Sequence, residues 1–381
     1  MEIMRKTLLI SEVFPPLHGG SGRWFWEIYS RYPKGAVEVL TDKSSGAQET
    51  DSSFPHPVHR IAMSAQPWGI ASLAGLRFYF RTWRKLDSLV RDHEIAQVHC
   101  GRVIPEGLPA MINKFRRGTP YTCYVHGEDV EIARTSREIT ILTRWVFRHA
   151  EKVVANSENT RDILRKWWKI DEDRLIVMTP GVDTERFVPV TDGKSPLWPK
   201  HRVVLTVGRL QRRKGQDMMI RALPRIRKSI PDVLYCIVGG GEDESHLKEL
   251  AQTNGVTEHV EFSGELTDEQ MLACYQGCDL FALPNRRVKN DDEGFGMVLL
   301  EAQSCGKPVL AGDSGGTRET LDPDRTGVIV DCTAPEPLAQ AVINLLQNTD
   351  RLAQMGTAGR SRMEQGFAWQ ELARKAQEKL A

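Results

Sequence analysis

The sequence opens without a long apolar run: Thr7-Leu-Leu-Ile10 follows Met-Glu-Ile-Met-Arg-Lys and is too short for a signal peptide or a membrane span. Net charge is almost absent as well. With 51 Lys+Arg against 50 Asp+Glu the formal balance is +1, which excludes a global attraction to nucleic acid. There is no disulfide framework, because the seven cysteines (100, 123, 236, 274, 278, 305 and 332) are odd in number and scattered through strand-like and helical runs. They read as reduced core thiols in a cytoplasmic setting. Cys274 and Cys278 lie one helical turn apart but lack the further nearby ligands that zinc needs. No G-x-G-x-x-G follows either opening strand, and the first Gly-Gly turn has no P-loop lysine. Both absences argue against a nicotinamide dehydrogenase and a P-loop enzyme.

What is present describes an α/β protein. At 381 residues, with 40% apolar and 27% charged residues, the chain can fill two domain cores. Strand candidates at 7–11, 37–40, 96–100, 121–125 and 152–156 alternate with helical patterns. A second series begins at 203 and continues at 233–238, 260–264, 279–283, 308–311 and 327–330. Such alternation predicts two doubly wound parallel sheets. The Pro-rich polar run 188–202 reads as a linker between domains at 1–187 and 203–368. Residues 1–190 carry 27 Lys+Arg against 23 Asp+Glu, and residues 191–381 carry 24 against 27, so the first half is the one suited to an anionic surface. Within it, residues 73–90 interleave Arg77, Arg81, Arg84 and Lys85 with Phe78, Tyr79, Phe80 and Trp83. A basic aromatic helix of this kind can lie on an anionic membrane. It can equally be a packed helix with a solvated basic edge.

The chemistry is concentrated in Glu293-Gly-Phe-Gly296-Met-Val-Leu-Leu-Glu301. Two glycines before an apolar run give a tight turn into a helix whose first amides stay unpaired, a seat for phosphate. Eight helical residues rise roughly 12 Å at about 1.5 Å each, so the two glutamates can bracket a sugar diphosphate as hydroxyl acceptors. An ordinary buried helix with an acidic cap is the competing reading. Arg209, at the end of the strand Val203-Val-Leu-Thr-Val207-Gly208, and Lys214 five residues on suit a diphosphate, unless they and Arg212 and Arg213 are simply solvated charges. Gly19 and Gly20 make a phosphate-approaching turn or a plain turn. His126 follows a strand end, where it can hydrogen-bond substrate or move protons. The turn Gly264-Glu265-Leu266 can offer backbone groups to a nucleobase edge.

Taken in order, Pro15-Pro16, Gly19-Gly20, His126-Gly127, Pro180-Gly181-Val182-Asp183, Gly208-Arg209-Leu210, Lys214-Gly215, Val238-Gly239-Gly240-Gly241, Glu293-Gly-Phe-Gly296, Glu301 and Gly315-Gly316 resemble the retaining glycosyltransferases of family 4. Arg213-Lys-Gly-Gln-Asp217 and Leu300-Glu-Ala-Gln-Ser-Cys-Gly306 resemble the phosphatidylinositol mannosyltransferase branch, whose donor is GDP-mannose. The resemblance implies a GT-B fold, two Rossmann-like domains facing a cleft, with a terminal helix at 369–381 crossing back to the first. It implies that Arg209 and Lys214 hold the diphosphate with the Gly19-Gly20 loop, that Glu301 takes the ribose, and that Glu293 and His126 contact the transferred sugar. Gly208 and the amides of Phe295, Gly296 and Met297 are placed near sugar and phosphate.

The implied activity is retaining transfer of a hexose, mannose from GDP-mannose, to a lipid-linked or glycan acceptor by a front-face mechanism. No metal and no cofactor beyond the nucleotide-sugar co-substrate is expected; Asp171-Glu-Asp173 and Asp322-Pro-Asp324 fit the D-x-D string of metal-dependent relatives but sit in turns remote from Glu293. The alternatives are a UDP-sugar-dependent transferase of the same fold, a sugar-nucleotide epimerase and a non-catalytic nucleotide-sugar binder. The expected location is the cytoplasm, peripheral on the inner face of the membrane through residues 73–90.

Overall fold

Apolar runs buried on both sides belong in the middle of a covered parallel sheet, and the chain builds two such sheets. The computed structural model describes residues 5–17, 19–63, 69–190, 197–289 and 291–380. Its first sheet comprises β1 (Thr7–Ser11), β2 (Val37–Asp42), β3 (Val58–Ile61), β4 (Gln97–Cys100), β5 (Tyr121–Val125), β6 (Lys152–Ala155) and β7 (Leu175–Val177). They run parallel in the order β3-β2-β1-β4-β5-β6-β7. The second sheet comprises β8 (Arg202–Val207), β9 (Val233–Val238), β10 (Val260–Gly264), β11 (Leu280–Leu283), β12 (Val309–Gly312) and β13 (Gly327–Val330), parallel in the order β10-β9-β8-β11-β12-β13. Strand order therefore reverses between β1 and β4 in one sheet and between β8 and β11 in the other. In sheets of this order ligands bind beyond the carboxyl ends of the strands at the reversal.

Two compact units result, Met1–Pro180 with Trp369–Ala381, and Gly181–Ala368. In the first, helices Leu73–Asp92, Gly107–Arg117 and Arg137–His149 share one core, and helices Gly20–Tyr29 and Trp369–Leu380 share the other. Two further cores cover the faces of the second sheet. All seven cysteines are free and buried. Among the described residues, no helix is long and apolar enough to cross a membrane.

The division between units falls at Pro180, seven residues before the expected boundary at 187. The reason is local packing: the Val182 amide donates to the Phe367 carbonyl at 2.8 Å, and Phe187, fully buried, meets Tyr275 edge-on at 5.7 Å. Residues 191–196 of the expected linker lie outside the described residues, and its last residue, Arg202, already begins β8. Strands β3 and β7 escaped the sequence reading because they are short and only half-buried.

Trp369 has no exposure and seats its helix against Trp24, Phe25 and Tyr29 of the same core. Trp369→Ala should destabilise the first unit by about 3–5 kcal/mol, seen as a lowered calorimetric transition; an unshifted transition would show that the terminal helix is not part of that core.

Candidate active site

The turn after β8 brings its cations to the reversal point of the second sheet. A 3-10 turn at Arg212–Lys214 ends at Gly215, and the helix Gln216–Ser229 follows. Lys214 lies over Gly208 and places Nζ 2.7 Å from Glu293 Oε2. Arg213 bonds the same oxygen through NH1 and reaches Asp291 Oδ1 with Nε at 3.2 Å. Both cationic side chains are only 12% exposed and the Glu293 side chain 9%. Burial alone would raise the Glu293 pKa; Lys214 and Arg213 outweigh it and hold the carboxyl below its ordinary range.

The backbone of Glu293 is fixed from β12. Its carbonyl accepts the Gly316 amide at 2.9 Å, and a Cβ on Gly315 would lie 1.9 Å from that same oxygen, so the Gly-Gly pair is a steric requirement of the carboxylate's position. Asp292 Oδ1 accepts the Glu293 amide at 2.9 Å and is also bonded by the Ser314 hydroxyl. Asn285, just past β11, ties the same loop with Nδ2 donating to the Ser314 carbonyl (2.8 Å) and Oδ1 accepting from the Gly312 amide (3.0 Å).

The helix after Glu293 begins only at Met297, because Gly296 sits in the left-handed region at φ 94. Glu293 therefore stands in the preceding loop, and the helical stretch from Met297 to Glu301 rises about 6 Å rather than the 12 Å of an eight-residue span. The first turn closes with Leu299 N–H on the Gly296 carbonyl (2.9 Å), which leaves the Met297 and Val298 amides outside the ladder at the positive end of the helix. Phe295 turns its ring into the core. Glu301 is buried and accepts the Tyr275 hydroxyl at 2.6 Å. Arg209 is exposed, with no side-chain partner among the described residues; its carbonyl accepts from Gln216 Nε2 at 3.1 Å. Gly264 ends β10 with its carbonyl on the Gly239 amide (2.7 Å); Glu265 is exposed and Leu266 half-buried on the core.

In the first unit, Gly19 precedes the helix that starts at Gly20. His126 follows β5, wedged edge-on against Trp24 and Phe25 at 5.6 and 5.8 Å. Its Nε2 lies 2.8 Å from the Gly101 carbonyl. A carbonyl only accepts, so Nε2 carries the proton. Burial pushes the imidazole pKa down, and Nδ1, without a hydrogen-bond partner among the described residues, is left as an acceptor.

These geometries carry a sequence signature. Residues 18–186 match the family profile described as Glycosyltransferase Family 4, and residues 191–362 match that described as Glycosyl transferases group 1. A GDP-mannose-dependent alpha-(1-6)-phosphatidylinositol monomannoside mannosyltransferase of Mycolicibacterium smegmatis is 32% identical over 376 residues, covering 95% of this chain and 94% of that protein. The chain belongs to glycosyltransferase family 4. The protein of the same description from Mycobacterium tuberculosis H37Rv is 31% identical over 382 residues, 98% of this chain and 97% of that one. Among solved structures, Anabaena Alr3699/HepE in complex with UDP aligns with TM-score 0.82 at 21% identity, covering 98% of this chain and 99% of that one. Sucrose-phosphate synthase from Thermosynechococcus elongatus aligns with TM-score 0.78 at 21% identity over 98% of each chain. The fold is GT-B.

For a family 4 glycosyltransferase, the second unit gathers Gly208, Lys214, Glu293 and the Gly296–Met297 turn. The alternative that left Arg213 as a solvated charge is corrected: it is a half-buried partner of Glu293. The loop from Arg286 to Asp292 is also less unbalanced than its composition suggests, because Arg286 pairs with the buried Asp217 through two bonds of 2.8 Å. Arg213 and Asp217 stood in a motif of the sequence reading, but nothing in it signalled these long-range pairings. Of the D-x-D strings, Asp322 pairs with Arg325 at 3.3 Å and Asp324 with Arg351 at 3.0 Å.

Since the Glu293 pKa is depressed in the folded chain, its stabilising charge is fully present above the unfolded value, about 4.3, and is lost as pH falls through the lower folded value. Glu293→Gln should flatten that acid-side loss in melts of the second unit and, by taking the carboxylate away from Lys214 while Arg213 keeps Asp291, lower stability at neutral pH. Melts with unchanged acid dependence would place the charge of Glu293 elsewhere.

Proposed function

We propose that the enzyme transfers mannose from GDP-mannose, with retention, to a lipid-linked or glycan acceptor. The observation that carries this is the pairing of Lys214 with Glu293 at the sheet reversal, in a chain about one-third identical along its length to GDP-mannose-dependent mannosyltransferases. Lys214, Arg209 and the unladdered amides at Met297 supply positive charge where a nucleoside diphosphate leaves, and that charge stabilises the departing anion. In this reading the diphosphate is held without a metal, with Gly19 and Gly20 contributing amides. Glu301 takes the ribose, and the turn Gly264–Leu266 lies by the base. Glu293 is read as a hydrogen-bond acceptor for hydroxyls of the mannosyl ring, and so is His126 Nδ1.

The step is a front-face displacement. The bond from the anomeric carbon to the phosphate oxygen breaks, the acceptor oxygen bonds that carbon from the same side, and its proton passes to the leaving phosphate. The second reading is a UDP-sugar donor, favoured by the UDP complex of the Anabaena structural neighbour. Epimerisation would instead change UDP-GlcNAc with no acceptor present.

The acceptor side also supports peripheral membrane contact at the cytoplasmic face. On helix Leu73–Asp92, Leu73, Leu76 and Phe80 are exposed, whereas Phe78 and Tyr79 are core residues. The apolar face extends further than residues 73–90, to Phe115 and Trp145 on the adjacent helices of the same unit. Arg84 covers Phe80 at 5.8 Å, Arg116 covers Trp83 at 5.7 Å, and Phe115 meets His149 at 4.8 Å, so aromatic rings and cations form one strip.

Turnover of GDP-mannose should fall about 100- to 1,000-fold in Lys214→Ala and Glu293→Gln; wild-type rates in both would remove the site. Across a panel of GDP- and UDP-sugars, hydrolysis should favour GDP-mannose, and preference for a UDP-sugar would select the second reading. The variant Arg81→Glu/Arg84→Glu should pellet less with anionic liposomes than wild type, and equal pelleting would exclude this helix as the dock.

A further inference from the structure

At the amino-terminal edge of the first sheet, opposite the edge that carries His126, a buried carboxylate collects two imidazoles. Glu38 is the second residue of β2 and is 3% exposed. Left alone there, an anion would be strongly disfavoured. His59 of β3 brings Nε2 to 2.8 Å from Glu38 Oε2, and His93, which follows helix Leu73–Asp92, brings Nδ1 to 2.8 Å from the same oxygen. Lys6 takes the other oxygen, with Nζ 3.0 Å from Oε1. The two rings stand edge to face, their centroids 5.4 Å apart. The ligand atoms of Glu38, His59 and His93 all lie within 4.8 Å of one another.

Two neutral imidazoles and one carboxylate oxygen are a zinc-type ligand set, and ligands at about 2.0–2.2 Å from a tetrahedral ion sit roughly 3.3 Å apart. The convergence is therefore within small side-chain adjustments of coordination. Lys6 would then do for the second carboxylate oxygen what outer partners do for metal-bound carboxylates generally, fixing its orientation. The imidazole side chains are 21% and 37% exposed, which leaves a path for an ion.

We propose that Glu38, His59 Nε2 and His93 Nδ1 form a binding site for a divalent transition-metal ion of the zinc class, with water completing the coordination. On binding, each ring moves the proton that it shares with Glu38 to its other nitrogen, which frees the facing nitrogen to coordinate. The ion would join β2, β3 and the end of helix Leu73–Asp92. It takes no part in transfer, because it lies at the opposite ends of the strands from His126.

The test uses the full chain, stripped with a chelator and titrated with zinc chloride by calorimetry and by thermal melting. The expected result is one zinc ion bound per chain and a raised melting temperature, with both effects lost in His59→Gln/His93→Gln. The single variant His93→Gln, which leaves the strand residue in place, should show reduced affinity even if the double variant folds poorly. Uptake that is absent from the wild type, or equal in wild type and His93→Gln, would overturn the proposal and leave the cluster as a proton-sharing ion pair.

Discussion

A carboxylate removed from water loses several kcal/mol of hydration unless cations and donors replace it, and Glu293 receives two cations on one oxygen. Arg213 and Lys214 come from the turn after β8, whereas Glu293 comes from the loop after β11. Those two strands are neighbours at the reversal of the sheet, so the ion triad also closes the reversal point. Much of the surrounding detail serves it. Gly315 must lack a side chain to let the Glu293 carbonyl pass, Asp292 and Ser314 fix the preceding peptide, and Asn285 ties the end of β11 to the β12 loop.

The same triad connects stability to chemistry. Lys214 and Arg213 together neutralise Glu293, and Arg213 is held also by Asp291; on the proposed reading a diphosphate would draw Lys214 away while Arg213 keeps the carboxylate ionised and in place. An ionised Glu293 can only accept hydrogen bonds, which suits the hydroxyls of a sugar and repels the phosphates beside it. On the proposed reading this pair would sort the two ends of a nucleotide sugar by charge. His126 is set up in a parallel way in the first unit, where the Gly101 carbonyl fixes the proton on Nε2, burial disfavours a second proton, and Nδ1 has no partner among the described residues.

Much of this architecture was legible in the residues. β1 and β9 are apolar runs bounded by turn residues, and their limits coincide with the sequence reading because burial on both faces leaves a continuous apolar signature. β3 and β7, half-exposed and short, carry no such signature. Lys214 was legible by its place five residues after Arg209 and Glu293 by the glycines that follow it, but nothing in the sequence paired the two with each other. Arg213 was not legible, because in a run of three cations nothing local distinguishes the one that a long-range contact buries; its partner is 80 positions away. The extent of the Glu293–Glu301 helix was misjudged for the opposite reason. The span was counted as eight helical residues from Glu293 although its two glycines turn the chain first, and the left-handed Gly296 delays the helix until Met297.

The most direct test of the central claim is calorimetric titration of GDP into wild type, Lys214→Ala and Glu293→Gln. If Lys214 exchanges the carboxylate for the diphosphate, Lys214→Ala weakens GDP at least tenfold, about 1.4 kcal/mol, while Glu293→Gln binds GDP as tightly as wild type or more so, its lysine having been released. GDP affinity that is unchanged in Lys214→Ala, or that collapses in Glu293→Gln, would contradict the exchange.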